Sequence, residues 1–216
     1  MKTVGLLGGT FDPIHCGHLQ LAEAVLVHCG LDQVLFVPAA VPPHKADGSI
    51  CAIEHRLEMV RRAIGPLSHC GVSQLEASSG QPSYTIDTVL TLRADSDGTT
   101  DYVFIIGGDA FLEIETWHRW PELLASTDFI VAVRRGYPFQ ELHALLSHHG
   151  FLKQTETAEG YYRGRNGTSI QVLTASIDDI SSTDVRHRIG ANKPWRHLVP
   201  VLVADYIDEH RLYRQS

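Results

Sequence analysis

Gly8-Gly9-Thr10-Phe11-Asp12-Pro13-Ile14-His15-Cys16-Gly17-His18-Leu19 lies between a short apolar run, Thr3 to Leu7, and a segment where Leu19, Ala22, Val25 and Leu26 recur at helical spacing. That order predicts a strand, a tight turn and a helix. In parallel α/β sheets ligands collect outside the carboxyl ends of the strands, and the unpaired N–H groups and dipole of the following helix attract anions. Gly8 and Gly9 carry no Cβ, so a ligand can approach the backbone closely there. His15 and His18 each offer an imidazole N–H to a phosphate oxygen. A histidine at a helix start is by itself more often a cap or a packed surface residue, but the neighbouring glycine turn favours the phosphate reading. His15, Cys16 and His18 are also potential metal ligands. No fourth ligand at suitable spacing accompanies them, so no metal site is assigned to the protein's own side chains.

Further strand-like runs occur at Val34 to Val37, Tyr102 to Ile106, Phe129 to Val133 and Ile170 to Leu173, with helical segments between most of them. This alternation predicts an α/β fold with a parallel sheet covered by helices. Glu54 to Ile64 reads as a helix with Leu57, Val60 and Ile64 inward, stopped by Gly65-Pro66, and Ser83 to Arg93 reads as another, capped at its start. Pro38 to Ile50 and Thr155 to Gly167 read as loops; the first either closes over a ligand or is an ordinary surface loop.

With 216 residues the chain has room for one substantial core, and a single domain over 1–216 with a C-terminal helical part from about residue 181 is expected. Hydrophobic residues make up 44%, and no apolar run is long enough to cross a bilayer, which argues against a membrane partner. The N-terminus lacks the pattern of a secretory signal, and Cys16, Cys29, Cys51 and Cys70 form no Cys-x-x-Cys pair; both features predict a cytoplasmic protein with reduced thiols. A net charge of -7 argues against a nucleic-acid partner. Within that acidic shell Lys45, Arg56, Arg134, Arg135, Arg186 and Arg188 are candidates for a basic pocket suited to a small phosphate ligand. His28 and His148-His149 fall outside the motifs and read as surface residues. A homo-oligomer is compatible with the sequence, which does not specify one.

GGTFDPIHCGHL resembles the signature of the nucleotidylyltransferase branch of the HIGH-motif superfamily, and its form is most similar to bacterial nicotinate-nucleotide adenylyltransferases. Ile180-Ser181-Ser182-Thr183-Asp184-Val185-Arg186 resembles that family's second phosphate motif. Between them Pro42-Pro43-His44-Lys45, Ser83-Tyr84-Thr85-Ile86-Asp87-Thr88 and Gly107-Gly108-Asp109 with Trp117 follow in the family's order, and Pro200 to Tyr213 is similar to its C-terminal helix.

The resemblance implies a Rossmann-like sheet of nucleotidylyltransferase type and adenylyl transfer from ATP, with Mg²⁺, to nicotinate mononucleotide, giving deamido-NAD and pyrophosphate. It implies catalytic roles for His15, His18, Lys45 and Arg186, with His18 first in line to stabilise the α-phosphate. It implies an ATP site of Gly8, Gly9, Thr10, Phe11, His15, His18, Gly107, Asp109, Ile180, Ser182, Thr183 and Arg186. The mononucleotide site it implies comprises Lys45, Ser83, Tyr84, Thr85, Asp109 and Trp117. The residue types suit this chemistry. A phosphate nucleophile is already ionised near neutral pH, so alignment and charge stabilisation suffice and no protein nucleophile is needed. Asp109 also reads as a cap for a helix beginning near Ala110, and Tyr84 and Trp117 also read as core aromatics. Adenylyl transfer to nicotinamide mononucleotide or phosphopantetheine, and a nucleotide-binding regulator without turnover, are the alternatives. Cys16 is a small thiol where relatives often carry a larger side chain.

Overall fold

The computed structural model describes residues 1–40, 50–79, 83–96, 98–134, 136–155 and 159–214. In chain order these form β1 (Lys2–Gly9), α1 (Cys16–His28), β2 (Gln33–Pro38), α2 (Ile53–Ile64), β3 (Cys70–Val72), α3 (Leu75–Ser79), α4 (Thr85–Asp95) and β4 (Thr100–Gly107). There follow α5 (Gly108–Leu112), α6 (Trp120–Ser126), β5 (Asp128–Val133), α7 (Phe139–His148), β6 (Leu152–Lys153), β7 (Tyr161–Arg163), β8 (Ser169–Thr174), α8 (Ser182–Gly190) and α9 (Val201–Glu209). The strands hydrogen-bond in the order β3-β2-β1-β4-β5-β8-β7-β6. The β1–β4, β4–β5, β5–β8 and β2–β3 pairs are parallel, whereas β7 runs antiparallel to both β8 and β6.

The chain divides into two compact units. Met1–Gly8, Ala24–Gln33 and Tyr84–Ser176 make the first; Gly9–Glu23, Val34–Ser83 and Ile177–Ser216 make the second. In the first, Leu6 lies opposite Phe104, Phe104 opposite Phe129 and Phe129 opposite Ile170, so one buried apolar row crosses four strands. Strands buried on both faces read as unbroken apolar runs, and Phe129-Ile130-Val131-Ala132-Val133 is buried throughout. Each such side chain contributes about 1.5–3 kcal/mol on burial. The second unit packs Phe11, Ile14, Phe36, Met59, Val60, Val185, Val203 and Ile207 inside, and α2 lies against α9.

The predicted Thr155 to Gly167 loop contains a strand, β7. Only Tyr162 of Tyr161-Tyr162-Arg163 is buried, too little apolar pattern to announce an edge strand. β3 and α3 are likewise short elements without a sequence signal. Among the described residues no helix is long and apolar enough to cross a membrane.

Candidate active site

The turn after β1 belongs to the second unit from Gly9 onward. Phe11 adopts φ 49, a left-handed conformation that costs a non-glycine residue roughly 1–2 kcal/mol. Its ring is buried against Phe36 and meets the His18 ring edge-on, with centroids 5.0 Å apart, so packing holds the turn in that shape. His15 immediately precedes α1, and its ring stacks on that of His18 with centroids 3.6 Å apart. The backbone N–H of His15 donates to His18 Nδ1 at 3.2 Å. Nδ1 is therefore an acceptor and the proton of neutral His18 sits on Nε2. His15 Nδ1 is buried without a hydrogen-bond partner among the described residues. Burial lowers the His15 pKa to about 4, and burial together with the neighbouring His15 holds His18 well below the ordinary histidine value. Near neutral pH the loop thus presents two uncharged N–H donors.

These shifts fix a pH dependence. Below about pH 6.5 the unfolded chain takes up protons on both imidazoles while the folded chain does not, until pH approaches the depressed folded values. The stability present at neutral pH is thus lost as pH falls, and the thermal midpoint is expected to be lower at pH 5 than at pH 7. In a variant with both histidines replaced by Gln that part of the fall should vanish; an unchanged pH dependence would contradict it.

The Ile180–Arg186 segment enters α8. Ser181 is the N-cap, its Oγ accepting the Asp184 N–H at 3.1 Å. Ser182 Oγ donates to Pro13 O at 2.9 Å, and Arg186 Nη1 donates to Asp12 O at 2.7 Å, joining the start of α8 to the glycine turn. Arg186 Nη2 lies 3.4 Å from Thr183 Oγ1, with its side chain a quarter exposed. Thr10, Phe11, His15, His18, Ser182, Thr183 and Arg186 are thereby brought together. Ile180 is half-buried just before them, its N–H bonded to Asp178 O. Cys16 at the head of α1 has its thiol pKa raised by burial and by Asp178, so it stays protonated.

Asp12 is 2% exposed, and its carboxylate accepts the Tyr213 hydroxyl at 2.7 Å. Burial and the Asp12 charge push the Tyr213 pKa upward, so the phenol remains a donor at any ordinary pH. Arg56 is 1% exposed and is not part of a phosphate-binding basic pocket. Its guanidinium donates to the carbonyls of Thr10, Ala39, Ala40 and Cys51 at 2.7–3.0 Å, tying three stretches of backbone together. Arg188 is likewise engaged, with Asp184 at 2.7 Å. Lys45 and Arg135 lie outside the described residues.

In the first unit, β4 ends at Gly107, which starts α5 without a side-chain cap. A Cβ on Gly108 would stand 2.8 Å from Val133 Cγ1 and 2.9 Å from Tyr137 Cζ, so only glycine fits. Asp109 is exposed in the first turn and does not cap the helix. Gly8 is exposed at the end of β1 with the Phe104 ring beside it. A 3-10 turn, Ile114–Thr116, delivers Trp117, which is half-buried and meets Phe104 edge-on at 6.1 Å. Tyr84 precedes α4 and stacks on His118 at 4.1 Å; it offers no side-chain cap, so the N–H groups of Thr85 and Ile86 open the helix. In the second unit, Ser83 Oγ accepts the Ala40 N–H at 3.0 Å.

A family profile described as cytidylyltransferase-like matches residues 6–188. A "probable nicotinate-nucleotide adenylyltransferase" of Desulfotalea psychrophila is 38% identical over 215 residues, covering 99% of this chain and 100% of that one. Another of the same name, from Symbiobacterium thermophilum, is 40% identical over 213 residues, covering 99% and 96%. The chain belongs to the nicotinate-nucleotide adenylyltransferase family. The fold is that of Plasmodium falciparum nicotinic acid mononucleotide adenylyltransferase complexed with NaAD, with a TM-score of 0.77 at 19% identity over 99% of this chain and 98% of that one. The same parasite protein complexed with APC gives 0.76 at 18% identity, again over 99% and 98%.

In this nicotinate-nucleotide adenylyltransferase family member the sequence reading missed the Tyr213–Asp12 contact and His118, and it misassigned Arg56 to a phosphate pocket. Tyr213 latches Asp12 from 201 positions away, and such a pairing leaves no local pattern. Arg56 looks like a phosphate ligand until its carbonyl partners are seen. His118 could have been noticed only for its place beside Trp117.

Proposed function

We propose that the protein transfers AMP from ATP to nicotinate mononucleotide, giving deamido-NAD and pyrophosphate in NAD biosynthesis. The observation that carries the site reading is the stacked, neutral His15–His18 pair at the start of α1. A mononucleotide phosphate oxygen bonds to the α-phosphorus of ATP as the bond from that phosphorus to the bridging oxygen breaks, and pyrophosphate leaves with the electron pair. His18 Nε2–H donates to an α-phosphate oxygen as its charge rises, a term that grows in the transition state. His15 supports it. Arg186, with Ser182, Thr183 and the first N–H groups of α8, holds the β- and γ-phosphates. The backbone of Gly8, Gly9 and Thr10 lines the α-phosphate side, beside Phe11; Ile180 borders the adenine end, and Gly107 and Asp109 take ribose hydroxyls. Lys45 is assigned to phosphate neutralisation. Asp12 is occupied by Tyr213 and by Arg186 Nη1 at 3.7 Å, so it is no metal cage. A Mg²⁺ ion would be held chiefly by the ATP phosphates and water rather than by Asp12, and would supply charge neutralisation there.

Nicotinate recognition is assigned to Trp117, stacking on the pyridine, and to Ser83, Tyr84 and Thr85, where backbone N–H groups donate to the carboxylate. Nicotinamide would set its own N–H₂ against those donors, a mismatch of about 1 to 3 kcal/mol. With ATP and Mg²⁺, kcat/KM for nicotinate mononucleotide is therefore expected to exceed that for nicotinamide mononucleotide by roughly ten-fold or more. Equal values would reject the carboxylate reading, and turnover with phosphopantetheine alone would move the chain to another substrate.

The single-domain reading rests on connectivity. The chain passes between the two units five times, so neither is a continuous piece that can fold alone. One cooperative unfolding transition is expected in the melts described above. Free thiols at all four cysteines support the reading as a cytoplasmic enzyme.

A further inference from the structure

Glu115, His148 and His149 lie in the first unit, and none has a part in the adenylyl-transfer reading. Glu115 sits on the 3-10 turn Ile114–Thr116, His148 ends α7, and His149 follows it. His149 Nε2 is 2.9 Å from Glu115 Oε1, and each of the three residues offers a donor atom within 4.8 Å of the others. The His149 ring is held edge-on by Trp120 at 4.9 Å, and the His148 ring stands across it at 5.0 Å. We propose that Glu115, His148 and His149 form a binding site for a divalent transition-metal ion of the Zn²⁺ type.

The donor set is the first reason. Two imidazoles and a carboxylate suit Zn²⁺, Co²⁺ or Ni²⁺, whereas Mg²⁺ and Ca²⁺ prefer oxygen alone. Geometry is the second. Bonds of about 2.0–2.2 Å around a tetrahedral ion set neighbouring donors about 3.3 Å apart. The His149–Glu115 separation needs to open by only a few tenths of an ångström, and exposed His148 closes the remaining gap by side-chain rotation. Three protein donors leave a fourth position for water. His149 also borders a cavity of about 340 Å³ with Trp120, Phe151, Arg165 and Asn166, which gives that water room. His148 is exposed, as the surface reading expects, and so is reachable by an ion from solvent. The 3-10 turn runs directly into Trp117, so an ion bridging it to the end of α7 would fix the turn.

The test is calorimetric titration of Zn²⁺ into the full-length, chelator-stripped protein, beside His148→Ala/His149→Ala and Glu115→Gln. One site of micromolar affinity is expected in the parent, lost in the double variant and weakened at least ten-fold by Glu115→Gln. Co²⁺ should give visible absorption typical of four-coordination in the parent alone. Glu115→Gln preserves shape at an exposed position, so it still decides the matter if the double variant misfolds. No Zn²⁺ binding by the parent, or equal stoichiometry and affinity in the variants, would overturn the proposal.

Discussion

His18→Ala should lower kcat by about 100- to 1000-fold, the scale of removing one preorganised transition-state donor. KM for ATP should change far less, because the donation matters most as charge builds on the α-phosphate. His18→Gln should recover part of the loss, since an amide N–H can donate without being charged. The His15 backbone N–H that donates to His18 Nδ1 gives the experiment its edge. A protonated imidazole would lose that bond, so the activity should be carried by the neutral ring. Normal folding by circular dichroism with kcat within a few-fold of the parent would make His18 a structural residue.

Trp117→Ala is expected to raise KM for nicotinate mononucleotide by roughly ten-fold or more while KM for ATP moves little, in keeping with ~1 to 3 kcal/mol for an aromatic side chain stacked on a base. Trp117→Phe should recover part of the loss. The ring is half-buried and meets Phe104 by an edge contact. A core indole would behave otherwise: its removal costs about 3 to 5 kcal/mol and impairs both substrates together. Melting temperatures measured beside both Michaelis constants separate the two cases, and a large fall with parallel loss for ATP would assign Trp117 to the core.

The central parallel strands were legible because burial on both faces leaves an unbroken apolar run such as Phe129 to Val133, whereas the short, half-buried β3 left none. The glycine turn and the Ser181 cap were legible for a local reason, since backbone geometry selects those residue types within a few positions. Tertiary partners leave no such mark. Arg56 and Arg186 are the same residue type, yet one is sealed in by four carbonyls and the other remains a quarter exposed beside the glycine turn. Asp109 was ambiguous in sequence between cap and ligand, and the helix starting two residues earlier than expected, at Gly108 rather than Ala110, removed the cap.

The latch between Tyr213 and Asp12 spans 201 positions, and that separation has a meaning for biosynthesis. A ribosome adding about 5–20 residues per second makes the glycine turn roughly 10 to 40 s before the tyrosine that secures it. Throughout that interval the nascent protein carries both histidines without their final scaffold. The glycine turn is therefore secured late in synthesis, only after Tyr213 has been made and has reached Asp12.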